Sequence, residues 1–407
     1  MVRQTRHFAN AVTDAVDSEG LGGADGAVVV DMKNFRNFAI DPVTYVATIG
    51  AGTPLQEVTE KLHNAGGRAM AHGTCPSIGI GGHATIGGLG PTSRMWGMAL
   101  DHVLEVEVVT ANSTTIRASP SQNPDLLFAV KGAGASFGIV TEFIVRTEPE
   151  PASAVAYSYT FDIGDAASNA NLFKDWQSLI SDPSLDRKFA SDFTVSNNMI
   201  LVSGTYFGTK AEFDTFRLQH KFPNSTDSSA VEFTDWLGLV GHWAEEAFLQ
   251  LITNVPAWFY SKSLSFSPQT LIPASGINDL FDYIATQASG TPAWFLIFDL
   301  AGGAISDVPT DATAYGHRDS LYWMQSYAVT VGEVSQTTID FLDGVNRVVA
   351  ASLPGFEFGA YPGYVDPRLP DGQKEYWGSN LSRLQHIKAV FDPLDVFHNP
   401  QSVKPVQ

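Results

Sequence analysis

The sequence predicts an α+β chain in two parts, and three observations carry that prediction. Strand-length apolar runs alternate with amphipathic helical stretches along all 407 residues, a mixture rather than a run of one element type. Hydrophobic residues make up 44% of the chain and charged residues 16%, which excludes disordered and fibrous classes and leaves a large core to bury. Glu148-Pro149-Glu150-Pro151 interrupts the pattern, and two prolines so close together read as a boundary. The expected division is therefore one domain over residues 1–150 and a second α+β domain, an antiparallel sheet with flanking helices, beyond it.

Taken in order, residues 27–32 and 44–49 read as short strands. Thr53-Pro54-Leu55-Gln56 reads as a helix start, with Thr53 as cap, Pro54 in the first helical position and Gln56 closing a capping box. Leu55, Val58 and Leu62 fall on one face, Glu57 reaches Lys61 one turn on, and Gly66-Gly67 stops the helix. Residues 72–97 are so rich in glycine that no helix of ordinary propensity is expected there. Val103–Val109 and Gly138–Arg146 read as strands around a short helix, Asp125–Lys131, that ends at Gly132. In the second part, strands are expected near 154–161, 199–206, 262–267 and 293–300, with helices at 170–181 and 277–287. Residues 376–391 form an amphipathic helix with Leu381, Leu384, Ile387 and Phe391 inward, and Asp392-Pro393 ends it.

The net charge of −19 splits into −5 over residues 1–150 and −14 over the rest. A field of that sign argues against nucleic acid and anionic membranes as partners. No apolar run is long enough for a transmembrane helix, and the first residues, Met-Val-Arg-Gln-Thr-Arg-His, lead into no signal-peptide core. Three Asn-x-Ser/Thr triplets begin at Asn112, Asn224 and Asn380 and hint weakly at secretion. A single cysteine, Cys75, rules out an intramolecular disulfide.

The most unusual stretch runs from His72 to Gly90 and contains Cys75, Gly79, Gly81, Gly82, His83, Gly87 and Gly88. Glycine at this density lets a backbone approach a ligand and turn N–H groups toward it. As a dinucleotide fingerprint it fails, because Ala84 stands where a glycine is needed and no capped helix is expected to follow. Turn-rich connection is the plain alternative. Cys75 has three readings: a small buried hydrophobe, half a metal site with His72, or a point of covalent cofactor attachment. The metal reading lacks a second pair of ligands, and none is assigned; chemistry alone leaves the others open.

Four ordered stretches carry a family resemblance. They are Gly73-Thr-Cys75-Pro through Asp101-His102-Val103, Asp125 through Thr141, His317-Arg318, and Tyr361-Pro-Gly-Tyr364-Val-Asp366 followed by Tyr376 through Arg383 and Asp392 through Pro400. In these the chain resembles the berberine-bridge-enzyme-like branch of FAD-linked oxidases with a vanillyl-alcohol-oxidase-type flavin fold, and within it the fungal gluco- and chito-oligosaccharide oxidases. The resemblance implies a split FAD-binding domain of the PCMH type. Its main part is residues 1–150, residues 151–355 form the substrate domain, and residues 356–407 return to the flavin domain. It implies FAD as cofactor, bonded at flavin C6 through Cys75. Gly79, Gly81, Gly82, His83, Gly138, Ile139, Val140 and Asn380 are the expected contacts. It further implies a carbohydrate substrate, O2 as acceptor, an extracellular location and a monomer. The family's upstream Gly-Gly-His, which bonds the flavin a second time, has no match: the likeness starts near Gly20, and His7 lacks glycine neighbours. Roughly the first 60–100 residues of a full family member are therefore expected to lie outside this chain.

Oxidising a sugar at C1 removes a hydride and a hydroxyl proton, and the proton needs a base within hydrogen-bond reach. The resemblance makes Tyr364 that base, Tyr361 its motif partner and Asp299, in Phe298-Asp299-Leu-Ala-Gly302-Gly303, the charged helper a tyrosine needs. Gly363 stands where the motif has Asn. From local sequence alone, Tyr-Pro-Gly-Tyr is simply a good turn, and His317-Arg318 reads as a structural contact. The expected activity is FAD-dependent oxidation of an oligosaccharide C1 hydroxyl to a lactone with release of H2O2. Oxidation of a secondary-metabolite alcohol, or a non-catalytic remnant, are the rival readings.

Overall fold

The computed structural model describes residues 2–4, 28–246, 258–364, 366, 368–399 and 401–406. His7 and residues 20–26 lie outside them. In the first half the strands are β1 (Val2–Gln4), β2 (Val28–Val30), β3 (Phe38–Ile40), β4 (Ala47–Gly50), β5 (Arg68–Ala69), β6 (Val103–Val109), β7 (Thr115–Ala118), β8 (Ile139–Val145) and β9 (Glu148–Pro149). β1 and β2 pair in parallel, β5 pairs with β9, and the main sheet is antiparallel in the order β3-β4-β8-β6-β7. Alternation in β6 and β8 sends Val106, Val108, Phe143 and Val145 inward, where they meet α1 (Leu55–Asn64), α2 (Ile80–Ile86) and α3 (Pro124–Ala133) in one core.

The second half holds β10 (Ala154–Asp162), β11 (Phe189–Ser196), β12 (Met199–Tyr206), β13 (Asp227–Phe233), β14 (Trp258–Phe266), β15 (Trp294–Leu300) and β16 (Tyr322–Thr330). They form one antiparallel sheet in the order β13-β10-β12-β11-β15-β16-β14. One face is covered by α4 (Ala166–Ile180), α5 (Ala274–Thr286) and α6 (Gln336–Ala351). Phe173, Trp176, Phe193, Phe298 and Tyr322 interlock there, with the Phe173 and Phe298 rings 4.6 Å apart. Each fully buried side chain of this kind contributes about 1.5–3 kcal/mol from burial. The other face carries the alternates of the same strands, both polar (Asp192, Asp299, Gln325) and aromatic (Trp323, Tyr327), and Trp323 packs there with Leu89 and Met98.

Three ties join the two halves around the Gly-rich segment. Arg94, which burial lowers to about 10, donates to the carbonyls of Phe189 and Ala301 at the ends of β11 and β15. Arg318 makes a two-pronged pair with Asp101 at 2.8 and 2.9 Å, and His317 meets the Tyr376 carbonyl at 3.0 Å. The C-terminal stretch packs back on the first half: Tyr376, Trp377, Leu384 and Ile387 share the core of β6 and β8. The buried Lys388 of α7 (Leu381–Phe391) donates to Ser136 O, Phe397 O and Asp392. No helix among the described residues is long and apolar enough to cross a membrane.

Several expectations need correction. The Gly-rich segment does form helices: α2, then Ser93–Trp96 and Ala99–His102. Tertiary bonds override propensity there. Thr53 O and Ala51 O accept the N–H groups of Ile80 and Gly81 at 3.0 and 3.1 Å. A helix thus follows Gly79, although without a side-chain cap. At α1 no capping box forms. Thr53 Oγ1 donates instead to Gly50 O, and Gln56 to Glu60. The first N–H groups of α1 are taken by Ile78 O and Pro76 O, so a neighbouring loop caps the helix. The single helix expected at 376–391 is broken by Gly378 at φ +51 into Gly372–Trp377, a tight turn and α7. β11, β13 and β16 were not expected at all. The triplet at Asn380 is buried, so it does not present a surface site.

Candidate active site

Tyr361 and Tyr364 stand on a loop anchored strand-wise along β14. Ser265 Oγ accepts the Gly359 N–H at 3.0 Å and Ser263 Oγ the Tyr361 N–H at 2.9 Å. The loop's far end is held by Asp366, whose carboxylate takes Lys262 Nζ at 2.5 Å and whose N–H meets Tyr376 Oη at 3.1 Å. Lys262 sits on β14 beside Ser263, so one strand fixes both ends of the loop. The two tyrosine rings are 5.0 Å apart, and Tyr364 meets Tyr327 of β16 edge-on at 5.6 Å. The Tyr361 hydroxyl accepts the Gly88 N–H at 2.9 Å, linking the loop to the Gly-rich segment.

Alternation in the second sheet places Asp299, the expected helper. Phe298 points to the helices, so Asp299 points to the open face. There Gln325 of β16 donates to its Oδ2. Directly opposite on β11 is Asp192, which the sequence reading missed. The signal was present: Phe189, Phe193 and Val195 alternate as an apolar face, and Asp192 interrupts the other face with a carboxyl. Burial raises Asp299 to about 6. Burial, and then the facing Asp299, hold Asp192 well above the usual carboxylate range. Burial raises Tyr361 to about 12 and Tyr364 well above 10, with Asp299 adding to both. Tyr364 therefore rests as a neutral phenol.

Cys75 is buried at the same place. Its field reaches Tyr364 and Tyr327, and burial pushes its thiol up. His72, three residues away, is turned from it: Nε2 bonds Thr59 and Nδ1 meets Gly73 O. Of the residues expected around a flavin, Gly81 sends its N–H to Ala51 O. His83, lowered to about 3 by burial, accepts the Gly73 N–H at 2.9 Å and braces the Cys75 loop. Gly138 opens β8 where a side chain would strike Val108 Cγ1 at 2.5 Å and Val109 O at 2.8 Å. Ile139 and Val140 pair with Val109 and Val108. Asn380 gives its amide hydrogens to Thr310 O and Thr313 O.

A side chain at Gly82 would meet nothing within 4 Å, so the start of α2 borders open space rather than packed protein. Open space at Gly82, and a buried thiol, hydroxyls and carboxyl that act on one another at Cys75, Tyr327, Tyr364 and Asp299, fit a flavin cofactor. Fold and site together define an FAD-linked oxidoreductase. Comparison with known proteins says the same. Residues 13–119 match a family described as FAD binding domain, and residues 360–404 one described as berberine and berberine like. An FAD-linked oxidoreductase (sorD) of Penicillium rubens is 41% identical over 99% of this chain and 89% of its own length. A structure of xylooligosaccharide oxidase from Myceliophthora thermophila in complex with xylobiose covers 100% of this chain. It superimposes with a TM-score of 0.88 at 30% identity over 87% of that chain. A glucooligosaccharide oxidase from Acremonium strictum, whose FAD is described as 6-S-cysteinyl and 8α-N1-histidyl, gives 0.86 at 29% identity, covering 100% and 86%. The chain belongs to the berberine-bridge-enzyme-like family of FAD-linked oxidoreductases.

Proposed function

We propose that this chain oxidises the C1 hydroxyl of a reducing oligosaccharide to the lactone, with O2 as final acceptor and H2O2 as its product. The observation that carries the reading is a buried Tyr364 within the electrostatic reach of both Asp299 and Cys75. A phenol acceptor, a carboxylate helper and an attachment thiol meet there from three separate parts of the chain. The relatives named as oligosaccharide oxidases support the substrate class. Bound FAD would be held by Cys75 and the start of α2, and it supplies a two-electron acceptor for the hydride.

The protein's own part is the proton. Tyr364 is neutral at rest, so it does not wait as a phenolate. It receives the C1 hydroxyl proton as its own passes toward Asp299, which is ionised above about pH 6. Gln325 holds the Asp299 carboxylate in place through Oδ2. Burial of Tyr327, Tyr361 and Trp323 around the pair keeps water from supplying a competing proton. In Tyr364→Phe the ring stays and the hydroxyl goes. Anaerobic rapid mixing with xylobiose should then show flavin reduction slowed by about 10² to 10⁴, with reoxidation by O2 unchanged. Reduction at the wild-type rate would move the base elsewhere.

A further inference from the structure

The register of the second sheet sets one row of residues across the open face: Ser203, Asp192, Asp299, Trp323 and Ser265 are successive partners on β12, β11, β15, β16 and β14. Two carboxyls thus face each other directly, and the members of the row beyond them are neutral. Like charges directly opposite on a sheet repel, and two carboxylates at one site do not both ionise readily. The other groups acting on Asp299 are also neutral: the Gln325 amide, donating to Oδ2, and the hydroxyls of Tyr327, Tyr361 and Tyr364. On the far side Asp192 influences Tyr157, a phenol that donates to Ala190 O.

We propose that Asp192 and Asp299 hold one proton between them, carried by Asp192 and donated to Asp299. Asp192 is then a positioning residue that keeps its partner an anion facing the tyrosines. The asymmetry has a structural cause. Asp299 already accepts from Gln325, and that bond favours the charged form; Asp192 faces Ser203 on its other side. Burial and the facing carboxyl both hold Asp192 protonated, whereas the bonds from Asp192 and Gln325 pull Asp299 back to about 6. Near neutral pH the pair bears a single negative charge, on the residue whose field reaches Tyr364. The proposal deepens the reading of Asp299 as the helper of Tyr364 and rests on it for its catalytic meaning.

Two measurements test it. The first needs neither substrate nor turnover. An infrared spectrum in D2O at pH 7.5 should show the carbonyl stretch of a protonated carboxyl group, and Asp192→Asn should remove it. A wild-type spectrum without the band, or a band that survives in Asp192→Asn, overturns the shared proton. The second is the pH profile of anaerobic flavin reduction, with xylobiose as the probe. The wild type should lose rate on the acid side near pH 6. Asp192→Asn still donates to Asp299 and should keep that limb. Asp192→Ala cannot donate and should move it up by about one pH unit. An unmoved limb in Asp192→Ala refutes the positioning role. If xylobiose fails to reduce the wild type, the substrate reading has failed, and the infrared result still decides the proton.

Discussion

Tyr361→Phe separates the two tyrosines of the site. The Tyr361 hydroxyl is already engaged as acceptor for the Gly88 N–H at 2.9 Å, and the ring is 6% exposed. Removing that oxygen leaves a buried amide without a partner, which costs about 1–3 kcal/mol. At roughly 2–4 °C per kcal/mol for a domain of this size, Tm falls by about 2–12 °C. The damage stays local, because Gly87 O and Gly88 O still accept the N–H groups of Leu100 and Ala99 at 3.0 Å. Flavin reduction should therefore slow by less than about tenfold, well short of the loss of a general base. Tyr364→Phe gives the opposite balance: a stability loss of about 0.5–1.5 kcal/mol for its bond to Tyr327, and a rate lost by two decades or more. Calorimetry of the FAD-loaded protein and anaerobic rapid mixing on the same samples supply both numbers. A Tyr361→Phe protein with unchanged Tm and a rate down a hundredfold would show that the roles are exchanged.

Three further outcomes follow from the same geometry. Cys75→Ser should abolish flavin fluorescence on an acid-denaturing gel while the fold survives, because the side chain occupies nearly the same volume; fluorescence that persists means attachment elsewhere. Asp392→Ala removes one of two carboxylates paired with the buried Lys388, leaving Asp395 at 2.9 Å and the Ser136 and Phe397 carbonyls, and should cost about 1–3 kcal/mol in denaturant unfolding. Replacing both with apolar residues recovers only part of this, since Asp392 also accepts the N–H groups of Val396 and Phe397. Gly363→Asn, which restores the family motif, should lower stability and slow reduction. Its Cβ would lie 2.6 Å from Tyr361 Cε1 and 2.9 Å from Ile86 Cδ1; a variant as stable and as fast as wild type would show that the loop gives way freely.

What the sequence made legible was local. The strands with clear alternation, Val103–Val109 and Ala154–Asp162, were readable, as was the apolar stripe of Leu55, Val58 and Leu62. α2 was not, because its first N–H groups are satisfied by Thr53 O and Ala51 O across a loop, a bond no propensity records. β16 was hidden for the opposite reason. It is buried on both faces along most of its length, so it shows no alternation. With β11 and β16 unread, Asp192, Gln325 and Tyr327 had no strand to place them, although Asp299 was found from the glycine pair that follows it.

The departure at Gly363 has a physical resolution in the way the loop is held. A side chain at Gly363 has no room, because Tyr361 and Ile86 fill that space. The loop is braced from outside, by β14. Ser265 and Ser263 hold the approach to Tyr361, and Lys262 holds Asp366 beyond Tyr364. Because those residues are consecutive or alternate along one strand, the loop inherits the rigidity of the sheet that also carries Asp299 and Gln325. Phenol and carboxyl are thereby fixed to the same frame, and their separation is set by strand register rather than by a flexible turn. The proposed relay needs that rigidity, since proton transfer tolerates little error in distance.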